Sequence, residues 1–197
     1  NLFCLEMRNR MTTRDIQREE TKKRIYDVAF KLFDEFGYDK VKVSDIAKAA
    51  NVSVGSVYYH YKNKEAIIDY GYYEFDQMLK EAYEKQTFDS EREAILFLID
   101  FQIKDVFLDI GLKMTTICFK NQINAENTYL YCDERYLYQK LLENLNHIQH
   151  MNKEHAAKMI LRISRGSIYD WCCHNGSYDL VEAVHEEISI VLDYIGL

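Results

Sequence analysis

A chain of 197 residues with no proline and only seven glycines lacks most of the residues that reverse a β-strand tightly. That feature points to an all-α protein, because sheet-rich folds of this length need many such turns. The apolar pattern agrees. In TKKRIYDVAFKLFDEFG, Ile25, Val28, Ala29, Leu32, Phe33 and Phe36 recur at the spacing of one buried helical face, and Gly37 supplies the stop. Val43–Ala50 predicts a short helix with Ile46, Ala47 and Ala50 inward. Asn51 then turns the chain in left-handed geometry, and Ser53 caps a second short helix from Val54 to about His60. Asn63 caps a long helix that begins at Lys64.

The remainder continues in the same style. Ser90 and Glu93 open a helix from Glu91 to about Leu108, and Gly111 interrupts before a segment over Met114–Ile123. Leu137, Leu141, Leu145 and Ile148 mark another helix. A long helix carrying Ala156, Ile160, Leu161 and Ile168 stops near Gly176, and Asp179 with Glu182 opens the last. The expected fold is about nine helices in two domains: residues 1–63, an N-terminal extension and a three-helix head, and residues 64–197, a helical body.

Charge divides along the same line. Residues 1–64 hold 13 Lys or Arg against 9 Asp or Glu, and the rest hold 12 against 23, so a head of +4 precedes a body of −11. An acidic average does not exclude nucleic acid, because phosphates respond to the field at the contact surface. The longest apolar run, Ala94–Ile99, is six residues, far short of a membrane span. A soluble cytoplasmic protein is the expectation. Five cysteines in no metal-like pattern read as reduced thiols, with Cys172 and Cys173 the pair to watch for redox or metal sensing. His147 and His150 lack a third ligand at convincing spacing. No phosphate-binding glycine loop or nucleophile elbow is present, so neither an enzyme, a metal nor a cofactor is expected.

Two short helices joined by a tight turn, with small Ala47 at their crossing, have helix-turn-helix geometry. The sequence VYYHY then poses a constraint: four consecutive helical positions point all the way round the axis, so one core cannot take all the rings. With Val57 inward, Tyr61 is also core. Tyr58, Tyr59 and His60 remain outside as a rim of hydrogen-bond donors suited to phosphates, beside a surface that would enter a DNA major groove.

The run KVKVSDIAKAANVSVGSVYYHYKNKEAII resembles the DNA-binding signature of the TetR-type (TetR/AcrR) transcriptional regulators, closely over about residues 20–70 and much less specifically toward the C-terminus. The resemblance implies that Ser53, Val54, Gly55 and Ser56 line the groove, that Tyr58, Tyr59 and His60 contact the backbone, and that Lys64 reaches a phosphate. Lys42 stands where the family often has a capping Ser or Thr, and Val54 where it is often polar. Ser44, Ser56 and an apolar contact from Val54 to a thymine methyl are then the candidate base readers. Arg8, Arg10 and Arg14 read either as an arm that strengthens DNA binding or, for Asn1–Arg10, as an extension, since Met7 and Met11 are both candidate starts.

A palindrome needs two heads, so the body is expected to form a homodimer. Ile163, Gly166, Ser167 and Asp170 on one late helix and Val184, Ile188 and Val191 on the next are the candidate interface; packing within one chain is the alternative. A small-molecule effector pocket is expected among Phe101, Phe107, Met114, Phe119, Tyr131, Tyr136, Tyr138, Tyr169, Trp171 and His174. Asp100, Asp105 and Asp170 raise a cationic ligand, with solvated or paired carboxylates explaining them equally. The functional expectation is a ligand-responsive regulator, a repressor released from a palindromic operator. The alternative is a ligand-binding or adaptor protein that keeps the helix-turn-helix only as scaffold.

Overall fold

The structure, a computed structural model, describes residues 12–124 and 132–197. Among them are nine α-helices: α1 Thr13–Phe36, α2 Val43–Ala49, α3 Val54–His60, α4 Lys64–Tyr83, α5 Glu91–Gln102, α6 Gly111–Asn124, α7 Tyr136–Glu143, α8 Lys153–Cys173 and α9 Leu180–Ile195. A π-helical turn, Ile103–Leu108, extends α5. None of these helices is long and apolar enough to cross a membrane. The chain divides into two compact units that meet in sequence between Gly71 and Tyr72.

In the first unit, α1 starts at Thr13, eight residues before the segment that begins at Thr21. The Thr12 hydroxyl accepts from the Asp15 N–H at 3.2 Å and the Asp15 carboxylate accepts from the Thr12 N–H at 3.0 Å, a reciprocal cap that satisfies otherwise unpartnered donors. Arg14 is therefore a helical residue of α1 and not part of an arm preceding it. Arg8 and Arg10 lie outside the described residues. Gly37 ends the helix at φ 88°, where a side chain would be strained.

Helix α2 has no side-chain acceptor at its N-cap, Lys42. The Asp45 carboxylate accepts from the Lys42 N–H at 2.8 Å instead, which leaves Ser44 exposed and free of capping. Asn51 adopts φ 54° and the Val52 N–H donates to the Ala47 carbonyl at 3.0 Å, closing the turn. Ser53 then caps α3 by accepting from the Ser56 N–H at 3.0 Å. Ser53→Ala is expected to destabilise the protein by about 1 kcal/mol, read as a lowered midpoint in urea.

Ile25, Ala29, Phe33, Ile46, Ala47, Ala50 and Val57 form the core of this unit. Tyr61 joins them, buried, with its hydroxyl donating to the Lys22 carbonyl at 2.9 Å. The first two turns of α4 carry Ile67, Ile68 and Tyr70 into burial as well, and Tyr70 meets the rings of Tyr26 and Tyr61 edge-on. A Cβ on Gly71 would stand 3.0 Å from the Tyr26 hydroxyl, so the absence of a side chain there permits this approach.

The second unit is tied together by buried polar links as well as apolar packing. Ser90 caps α5, accepting from the Glu93 N–H. The Gln102 side chain accepts from the Ser164 hydroxyl of α8 at 2.6 Å. Thr115 of α6, fully buried, donates to the Phe107 carbonyl at 2.8 Å or the Gly111 carbonyl at 2.9 Å. Asp76 and Arg135 form a two-pronged ion pair at 2.9 and 3.0 Å. Helix α7 ends sooner than the apolar pattern suggests, because the Asn144 amide donates back to the Lys140 carbonyl and closes it. Asp179 caps α9 by accepting from the Val181 and Glu182 N–H groups, and α9 packs along α8.

Candidate nucleic-acid interface

The turn at Asn51 and the Ser53 cap fix α3 so that Val57 points into the core and its other faces point out. Val54, Tyr58 and Tyr59 are exposed, Tyr59 by 68%. Ser53 and Gly55 are also exposed, and Ser56 and His60 are half-buried. The rings of Tyr58 and Tyr59 are therefore open to a partner.

A groove of about 580 Å³ runs beside α3, lined from α1 by Arg14, Asp15, Gln17, Arg18 and Thr21 and from α3 by Ser56, Tyr59 and His60. The Arg18 guanidinium lies 5.6 Å from the centroid of the Tyr59 ring, and Tyr59 meets His60 edge-on at 5.1 Å. Burial, and next the nearby Arg18 charge, hold the His60 imidazole below its usual range. At neutral pH it is thus a neutral hydrogen-bonding group, and the positive charge of the groove belongs to Arg14 and Arg18. Sequence reading passed over Arg18, which lies within a polar stretch of α1; the spacing Arg14, Arg18, Thr21 on one face was the available signal.

Lys64 is engaged elsewhere. Its ammonium donates to the carbonyls of Tyr38 at 2.7 Å and Val41 at 3.0 Å and lies 4.3 Å from the Tyr38 ring centroid. It fastens the start of α4 to the loop before α2 and is not presented for a phosphate.

Among the described residues, the expected effector residues are mostly dispersed through the core. Phe101, Phe107, Met114, Phe119 and Trp171 are buried core, with Phe107 and Phe119 in mutual ring contact and the Trp171 indole donating to the Tyr178 carbonyl. Tyr136 packs against Tyr83. Tyr169 is 53% exposed, and His174 is exposed and paired with Asp170. Tyr131 lies outside the described residues. Tyr138 does line a cavity, of about 430 Å³, but its companions there are Leu137 and residues from the loop before α7 and from α8. Of the carboxylates, Asp100 contacts His185 and Lys104 and Asp170 contacts Tyr178, so these two are partnered within the chain.

The expected interface divides into two sets. Val184 and Ile188 are completely buried and belong to the core of their own chain. Ile163, Gly166, Ser167, Asp170 and Val191 line a shallow groove on the outer face of α8 and α9, joined by Ala183, Glu187 and Ile190. Ile190 and Tyr194 are 70% and 59% exposed, and no atom lies within 4 Å of a Cβ built on Gly166. The outward stripe of α9 is one helical step from the one expected. His147, the candidate metal ligand, contacts Glu91, and no group of three metal-ligating side chains occurs among the described residues.

Residues 25–70 match the model of a family described as bacterial regulatory proteins, tetR family. The chain is 50% identical over 46 residues to the HTH-type negative transcriptional regulator IcaR of the biofilm operon icaADBC in Staphylococcus epidermidis, an alignment covering 23% of this chain and 25% of that protein. The chain thus spans about a quarter of the length of the curated relatives it matches. Over nearly the whole chain the fold is similar to that of FadR from Bacillus subtilis, solved with stearoyl-CoA (TM-score 0.59, 20% identity, 88% of this chain and 98% of that one). It is also similar to a transcriptional regulator of Saccharomonospora viridis solved with choline (TM-score 0.63, 16% identity, 89% and 97%).

Proposed function

We propose that this chain, whose residues 25–70 match the model of the tetR family of bacterial regulatory proteins, is a ligand-responsive transcriptional repressor that binds a palindromic operator as a homodimer. The exposed face of α3 carries this reading. Val54, Gly55 and Ser56 enter the major groove, Tyr58 and Tyr59 hydrogen-bond phosphates on its rim, and Arg14 and Arg18 add the charge that attracts them. The outer groove of α8 and α9, with Ile163, Gly166, Ile190 and Tyr194, packs against its symmetry mate as a four-helix bundle. Small uncharged residues at the centre of that stripe allow close approach.

Effector binding in the second unit shifts the separation of the two heads, since α4 is one continuous helix contributing residues to both units. Lowering operator affinity a hundredfold needs a coupling of about 2.7 kcal/mol, inside the usual allosteric range. The structural neighbours were solved with ligands as unlike as stearoyl-CoA and choline, so the effector must be argued from this chain's own cavity.

Selection of the purified protein on a random duplex library near physiological salt tests the reading. A palindromic consensus is expected. Tyr59→Ala is expected to weaken binding about tenfold across all sequences with an unchanged salt slope, whereas Arg18→Ala also lowers the slope by about one. Absence of any consensus, from protein denatured and refolded to remove bound ligand, would sink the regulator and favour the adaptor role.

A further inference from the structure

The body of this protein is acidic, yet four of the twelve Lys and Arg residues that follow Lys64 line a single cavity. These are Arg135, Lys158, Arg162 and Arg165, around a space of about 430 Å³ in the second unit. The lining contains one carboxylate, Asp133; a second, Asp76, clasps Arg135 by the two-pronged pair. Lys158, Arg162 and Arg165 lie at i, i+4 and i+7 on one stripe of α8, where like charges repel and cost helix stability. An arrangement that concentrates repulsion in an otherwise acidic unit calls for a negative counter-charge.

The depth of the cavity separates it from an ordinary basic surface. Arg135 and Arg165 are buried, and Lys158 and Arg162 stand exposed at the mouth. Buried Leu137, Tyr138 and Leu161 complete the lining. Cations that converge on an apolar wall match a ligand with a charged group at one end and an apolar body.

We propose that this cavity binds an organic anion, with a carboxylate or phosphate held by Lys158 and Arg165 and an apolar or aromatic body against Leu137, Tyr138 and Leu161. The inference rests on the reading that the second unit takes an effector, and it names that effector's chemical class.

Three fluorescent probes with the same aromatic body test it on the full chain without DNA: naphthoate, naphthyl phosphate and naphthylmethylammonium. The two anions are expected to bind, with the ammonium at least about tenfold weaker. Lys158→Gln and Arg165→Gln are each expected to weaken the anions about tenfold, a loss of one charge-assisted hydrogen bond. The tighter of the carboxylate and the phosphate assigns the headgroup. Lys158 is exposed, so Lys158→Gln and the charge-reversed Lys158→Glu test the idea even where Arg165→Gln fails to fold. Equal binding of the ammonium, no binding of either anion, or anion affinity unchanged in both Lys158 variants would overturn the proposal. Operator selection reads the head separately: a DNA consensus without anion binding removes this inference alone, and anion binding without a consensus removes the regulator and leaves the cavity.

Discussion

Asp76→Ala is expected to destabilise the protein by about 3 to 5 kcal/mol, more than any surface substitution would. Arg135 keeps 5% of its side chain exposed and Asp76 14%, so neither charge can turn to water when the other is removed. The guanidinium also lies 5.0 Å from the centroid of the Phe75 ring and 5.6 Å from that of Tyr72, which fixes its plane against α4. Without the carboxylate a buried cation loses its paired charge and stays among the other cations of the cavity that it lines. The control is Asp76→Leu combined with Arg135→Met. Removing both charges together is expected to recover most of the loss, because an ion pair of this kind contributes little beyond its apolar replacement. Urea unfolding of the two single variants and the double variant measures the coupling. Equal losses in Asp76→Ala and in the double variant would show that packing, not the unpaired charge, carries the effect.

The second large effect lies in the head. Phe33→Ala removes a side chain with 2% exposure whose ring meets Tyr38 edge-on at 4.9 Å. Deleting a buried phenyl group costs about 3 to 5 kcal/mol. A unit of this size has only a few kcal/mol of net stability, so the head of this variant is expected to be largely unfolded at physiological temperature. Amide hydrogen exchange should show protection lost over residues 25–70 with most of it retained in α8 and α9, and DNA binding should vanish with it. Phe33→Leu, which leaves a smaller void, is expected to cost less than half as much and to keep DNA binding. A head that stays protected in Phe33→Ala would mean that its stability comes from elsewhere.

The head was readable in the sequence because its signals are local. Asn51, Ser53 and Gly37 each act within four residues of themselves, and the structure uses them as turn, cap and stop. The division of the tyrosines also followed from local geometry: once Val57 faces inward, Tyr61 must as well, and Tyr58 and Tyr59 cannot. The start of α1 was less legible because TRDIQREE has no apolar stripe, and only the pairing of Thr12 with Asp15 identifies it.

The body was harder for a different reason. The apolar arc of helix α9 spans more than half the wheel, so the pattern does not distinguish Val184 and Ile188 near its centre, which are core, from Ile190 and Tyr194 at its edge, which are outside. The aromatic residues read as a pocket are mostly core because large rings fill volume wherever they lie. The cavity itself joins Arg135 to a stripe more than twenty positions later, and its counter-charge Asp76 is 59 residues earlier. No local pattern announces such a meeting.

The π-helical turn at Ile103–Leu108 has a consequence for how this chain tolerates change in length. A π turn holds one residue more than the α turn it replaces, and here Thr115 partners the Phe107 carbonyl within that stretch. Deleting one residue would let the helix relax to regular winding, and would thereby displace the Phe107 carbonyl from the Thr115 hydroxyl that it accepts from. Every composition-preserving change of side chain in this stretch leaves the count intact, and a single-codon deletion does not.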